Sequence, residues 1–93
     1  MDIQTLSDRA EIADLLALYC RGVDRRDEAT LRSIYHEDAI EDRSEGQFIG
    51  PAQKWVGWAL SVIPVFELTQ HTILNSLVEI EGDTAYGETY FNA

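Results

Sequence analysis

The stretch TQHTILNSLVEIEGDTAYGETYF, residues 69–91, decides how the chain is read. Threonine, isoleucine, leucine and valine dominate its first half, so Thr69 to Glu81 reads as one long strand. Gly82-Asp83 is a hairpin turn signal, and Thr84 to Phe91 is the returning strand. With those two residues as the loop, Leu77 faces Glu88, Glu79 faces Tyr86 and Asn75 faces Tyr90. Strict alternation then puts His71, Ile73, Asn75 and Leu77 on one face with Tyr86, Glu88 and Tyr90. Leu74, Val78, Ile80, Ala85 and Phe91 take the other face. The first face mixes histidine, asparagine and glutamate with tyrosine and isoleucine, so it is expected to be partly enclosed. A lone hairpin is marginal, and no further strand covers Tyr90 and Phe91. An unfinished sheet is expected, and with it self-association through the open edge.

Upstream, the period changes from two to that of a helix. Ile12, Leu15, Leu16, Tyr19 and Val23 recur at three- and four-residue steps. Thr5 or Ser7 can cap this helix, and Asp8 and Glu11 suit the positive end of its dipole. Beside the apolar face runs a row of small residues, Ala13, Ala17 and Cys20, that ends in Asp24. Such a row lets another element approach or leaves room for a cavity. Asp27 can cap a short second helix carrying Leu31, Ile34 and Tyr35. Residues 39–41 and 47–49 read as short strands around a polar turn at Arg43 to Gly46. Gly50-Pro51 opens a third helix with Trp55, Val56, Ala59 and Leu60 on its apolar face, and Pro64 ends or bends it. Helices are thus expected at roughly 7–25, 28–36 and 51–63, followed by the hairpin, in an α+β fold.

Composition narrows the function. The chain has 93 residues, which sets a ceiling of one domain, expected to span 1–93. Its net charge is −10, and its only dense basic group is Arg21, Arg25 and Arg26, so nucleic acid and anionic membranes are excluded as expected partners. One cysteine and two histidines leave no disulfide and no cysteine- or histidine-rich metal site. No stretch reaches the about 18 apolar residues of a membrane span. The polar, acidic start is no signal peptide, so a cytoplasmic protein is expected.

Asp24 and His71 carry the chemistry to be weighed. A carboxylate near a helix C-terminus is disfavoured by the dipole, so Asp24 either pairs with Arg21 or Arg25 at the surface or serves a pocket. A strand histidine is either a buried structural residue or a general base, for which its neutral-range pKa suits it. Tyr19 belongs to the apolar face, with a hydroxyl able to reach a ligand. Of Trp55 and Trp58, one is expected in the core and the other at a pocket wall or interface. Asn75 either orients a substrate or satisfies backbone groups. His36-Glu37-Asp38 reads as a solvated helix end, and Cys20 as packed and inert.

Two runs carry a resemblance. The first is Ile12-x-x-Leu-Leu-x-x-Tyr19-x-x-x-Val-Asp24-x-x-Asp27-x-x-x-Leu31-x-x-Ile34-Tyr35-x-x-Asp38-Ala39. The second is Thr-Gln-His71-x-x-x-Asn75-x-x-Val-Glu-Ile-Glu-Gly82-Asp83-Thr-Ala85, with Gly50 between the two. Together they resemble the SnoaL-like proteins of the nuclear transport factor 2-like superfamily, which includes scytalone dehydratase and ketosteroid isomerase. The resemblance implies a cone-shaped barrel of curved sheet around three N-terminal helices, with a pocket at the wide end. It implies that Asp24 and His71 form a catalytic pair, and that the C-terminal strands of the sheet are missing from this chain. The tyrosine that scytalone dehydratase uses near its first short strands has no clear match in Glu41-Asp42-Arg43.

The function expected on this basis is a cofactor-independent lyase or isomerase. His71 removes a proton from an apolar, cyclic substrate, Asp24 orients it, and a leaving group departs as in a dehydratase. Tyr19, Trp55, Asn75, Glu88 and Tyr90 are the expected substrate contacts. The expected partners are a small hydrophobic molecule and further copies of the chain. The alternative is a module of the same fold that binds a hydrophobic ligand, or dimerises, without chemistry.

Overall fold

The computed structural model describes residues 2–43, 48–63 and 68–93. Its elements run α1 (Ile3–Asp24), α2 (Glu28–Ser33), β1 (Ile40–Asp42), β2 (Ile49–Pro51), α3 (Ala52–Val62), β3 (Thr72–Glu81) and β4 (Thr84–Asn92). The strands form two antiparallel pairs, β1 with β2 and β3 with β4. This is the α+β order expected, but β3 begins at Thr72 rather than Thr69, so His71 lies just before the strand, and the helix boundaries also move. α1 starts earlier because the Asp2 carboxylate, rather than Thr5 or Ser7, caps it, accepting from the Thr5 N–H at 2.7 Å. α2 stops at Ser33, three residues short of the expected end. Pro51 closes β2 and caps α3 instead of entering its first turn. The predicted break at Pro64, and most of the predicted turn after Arg43, lie outside the described residues.

The end of α1 is built with care. The Asp27 N–H bonds to the Gly22 carbonyl at 2.8 Å and the Arg26 N–H to the Val23 carbonyl at 3.2 Å. These two bonds, with Arg26 at φ 54°, make the left-handed turn that stops a helix and satisfies its last carbonyls. Asp24 is therefore the last helical residue, held at a defined angle. The same turn delivers Asp27 to cap α2, accepting from the Thr30 N–H at 3.2 Å and the Thr30 hydroxyl at 2.7 Å. Gly22 permits a close approach, since a Cβ there would lie 2.8 Å from Leu31 Cγ.

The core is Val23, Leu31, Trp55, Val56 and Ala59, which joins the end of α1 to α2 and α3. Tyr19, Ile34, Tyr35 and Phe48 pack around it. Gln53 ties α2 to α3, its backbone carbonyl accepting from Arg32 at 2.8 Å. The N-terminal half of α1 instead faces the hairpin. There Ala13 and Ala17, with Ile12, Leu16, Ile73 and Val78, line an apolar cavity of about 270 Å³. The small-residue row thus leaves room rather than drawing the strand into close contact.

The hairpin turns at Gly82-Asp83, where Glu81 pairs with Thr84. Gly82 has φ 59°, the positive value that a two-residue hairpin turn requires at its first position. Leu77 opposes Glu88 and Glu79 opposes Tyr86, as alternation predicts. Nearer the open end the register shifts: Ser76 pairs with Thr89, but Ile73 pairs with Phe91. Leu74 and Asn75 therefore share one partner position, Tyr90, in a β-bulge.

That extra residue inverts the face assignment beyond it. Ile73 falls on the side of Ser76, Val78, Ile80, Ala85, Thr89 and Phe91, and the His71 ring, just before the strand, stacks on Phe91. Asn75, Glu88 and Tyr90 lie on the opposite side, in a surface depression with Leu74 and Leu77. The single polar face expected from strict alternation does not exist. Its outward part is exposed, Leu77 at 76%.

Candidate active site

The end of α1 and the start of the hairpin meet at Asp24 and His71. The Asp24 Oδ1 lies 2.6 Å from His71 Nδ1, and its Oδ2 accepts the His71 backbone N–H at 2.8 Å. The Thr69 hydroxyl donates to Oδ1 at 3.0 Å. Both side chains are largely enclosed, His71 at 14% exposure and Asp24 at 20%. Among the described residues, Asp24 pairs with His71 and not with Arg21 or Arg25.

Burial pushes the Asp24 carboxyl upward, but the hydrogen bonds from the His71 backbone, the His71 ring and Thr69, with the His71 charge, outweigh it. The net result lies below the ordinary carboxylate value, so Asp24 is ionised at neutral pH. An ionised carboxylate only accepts hydrogen bonds. The Nδ1 of a neutral His71 ring must therefore carry the proton, and Nε2 must carry the lone pair. Among the described residues, Nε2 has no hydrogen-bond partner.

The lowered carboxyl sets a pH dependence. A group whose folded pKa lies below its unfolded value, about 3.9 for aspartate, stabilises the fold above that pH. The contribution is lost as pH falls through the folded value. Wild type should therefore exceed Asp24→Asn in melting temperature at neutral pH, and the gap should narrow as pH falls below about 4. A gap that stays constant down to strong acid would show that the charge of Asp24 contributes nothing.

His71 stands on the wall of a cavity of about 520 Å³. Its ring stacks on Phe91 with centroids 6.1 Å apart and meets the Tyr19 ring edge-on at 6.2 Å. Much of the remaining wall is apolar, from Trp58, Ala59, Val62, Ile63 and Leu68. Tyr19 and Trp55, both expected at the site, line this cavity and stack on each other at 6.1 Å. Trp55 is also a core residue, at 4% exposure, while Trp58 is exposed, so the division expected between the two tryptophans holds. Asn75, Glu88 and Tyr90 are absent from the cavity wall, because the bulge turns them to the other side of the hairpin.

Arg43, whose place in a polar turn gives no functional signal in the sequence, also lines the cavity. Its guanidinium lies 4.4 Å from the centre of the Trp55 ring. Its Nε donates to Glu41 at 2.8 Å, and a terminal nitrogen donates to the Tyr19 hydroxyl at 2.9 Å. Burial opposes the Arg43 charge, but Tyr19 and Glu41 more than offset this and its pKa lies above the ordinary arginine value. Burial, and after it the Glu41 carboxylate, push the neighbouring Tyr35 phenol far above its usual range. Burial and the Asp24 charge also push the Cys20 thiol up, as suits a packed, unreactive cysteine. Trp55 Nε1 is buried with no acceptor among the described residues.

No group of three or more histidine, cysteine, aspartate or glutamate side chains among the described residues is placed to hold a metal ion. Among the same residues, no helix is long and apolar enough to cross a membrane.

The sequence pattern of the SnoaL-like domain matches residues 4–93. The chain is 33% identical over 86 residues to an uncharacterized protein of Mycobacterium bovis. It is equally similar to uncharacterized proteins of two Mycobacterium tuberculosis strains. Each alignment covers 91% of this chain and 58% of the relative, so the chain spans little more than half the length of these curated relatives. No solved structure matches it.

Proposed function

The chain belongs to the SnoaL-like domain family, and from that premise we propose that it carries the acid–base pair of a cofactor-independent lyase or isomerase acting on an apolar, cyclic substrate. One observation carries the reading: Asp24 Oδ1 lies 2.6 Å from Nδ1 of His71, which lines a largely apolar cavity, and among the described residues Nε2 has no hydrogen-bond partner. Nε2 takes a proton from a substrate carbon. The freed C–H electron pair becomes the new double bond, and the leaving group departs with its own bonding pair. Asp24 fixes the tautomer beforehand and stabilises the imidazolium afterwards. Tyr19 and Trp55 shape the apolar seat. A cytoplasmic setting belongs to the same reading. So does a cone-shaped barrel in which further strands or another copy of the chain cover the exposed hairpin.

Cyclic β-hydroxy ketones test the reaction class, because elimination converts them to conjugated enones with strong ultraviolet absorbance. The full-length protein in heavy water is expected to form enone, or at least to exchange the proton beside the carbonyl for deuterium. Binding of the panel with neither outcome would reduce the site to a ligand-binding module.

A further inference from the structure

A second polar element of the cavity has no part in proton removal. Guanidinium has five N–H donors. Arg43 commits two of them, Nε to Glu41 and one terminal N–H to Tyr19, and among the described residues the other three have no acceptor. The side chain is 31% exposed, and it lines both this cavity and a neighbouring depression beside Glu41 and Thr89. Trp55 below the guanidinium plane and Glu41 at its Nε edge fix its orientation before any ligand arrives. A fixed, charged fork in a largely apolar wall suits one partner well, an oxygen acceptor with negative charge.

We propose that Arg43 reads the ligand: the cavity takes an apolar molecule bearing an oxyanion, seated on the three Arg43 N–H groups that have no acceptor among the described residues. Tyr19 assists. Its hydroxyl accepts from Arg43, which leaves its own proton to donate to the same ligand oxygen. The inference rests on the cavity being a ligand site, as in the reading above, but not on proton abstraction. It narrows the substrate class to apolar carboxylates and their oxyanion analogues. The chain as a whole carries −10 and repels anions, so any preference for one must come from a local cation.

Calorimetric titration of the protein with naphthoate and with its neutral amide, naphthamide, tests this. Naphthoate is expected to bind about tenfold tighter, the usual margin of a charge-assisted over a neutral hydrogen bond. Arg43→Gln should abolish that preference while naphthamide affinity changes little, which also shows that the cavity is still folded. Arg43→Lys should keep part of the preference, since it keeps the charge and loses the fork. Should the glutamine variant fail to fold, the lysine variant carries the test alone. Naphthoate carries neither a leaving group nor a proton on the carbon beside its carboxylate, so its binding is read without turnover and a failure of the proton-abstraction reading would leave this result standing. Equal affinity for the two probes in the wild type, or a preference that survives Arg43→Gln, would overturn the proposal.

Discussion

Replacing His71 with glutamine is expected to lower the elimination rate by about 10²–10⁴, the usual worth of a positioned general base, with ligand binding nearly intact. Glutamine keeps a polar side chain of similar reach but has no nitrogen lone pair to take a proton. Asp24→Asn should cost a comparable factor by a different route. In the wild type, Oδ2 accepts the His71 backbone N–H and Oδ1 faces Nδ1. The backbone N–H can only donate, so it will hold the asparagine carbonyl oxygen at the Oδ2 position. The asparagine NH₂ then faces Nδ1, which must become an acceptor, and the ring proton moves to Nε2. The base would be present in the wrong tautomer. Asp24→Glu should not restore the rate, because its longer side chain cannot hold both contacts. Rates measured over a range of substrate concentrations separate these cases. A lost kcat with unchanged KM supports the account, whereas a raised KM alone would assign the pair to binding.

The second large effect is on stability. Leu31 is fully buried, and Gly22 lies against it so closely that a Cβ would stand 2.8 Å from its Cγ and 2.9 Å from its Cδ2. Leu31→Ala should cost about 2–5 kcal/mol, the range for truncating a core leucine. Gly22→Ala should cost about 1–3 kcal/mol through overpacking, less what alanine returns in helix propensity. The double variant should be more stable than the sum of the two losses predicts, because the new Cβ fills part of the space that Leu31 vacates. At about 4–8 °C per kcal/mol for a domain of this size, each loss is visible in a melting curve. These residues fix the angle between α1 and α2, and with it the place of Asp24. Strict additivity in the double variant would mean that the two residues do not share this contact.

How legible the site was depended on the kind of signal. Asp24 stood out because a carboxylate at a helix end is electrostatically misplaced unless something holds it, and the structure supplies the holder, His71. The hairpin turn was legible because Gly82-Asp83 has backbone requirements that few residue pairs meet. The bulge was not. Neither Leu74 nor Asn75 is a glycine or proline, and no residue type in the strand marks the slip that doubles them against Tyr90. One unreadable residue therefore moved Asn75, Glu88 and Tyr90 to the far face. Arg43 was missed for a related reason. A charge in a polar turn reads as solvated, and only the fold brings the Trp55 ring beneath it. Its neighbours Glu41 and Asp42 gave no hint, since an acidic–basic triplet in a turn is what solvent exposure also produces.

The position of one proton tests the central claim most directly. Nitrogen–proton correlation NMR on His71, at a pH where its ring is neutral, reports which ring nitrogen is protonated. The account predicts Nδ1–H with a bare Nε2 in the wild type, and the reverse in Asp24→Asn. A wild-type ring protonated on Nε2, or the same tautomer in both proteins, would contradict it.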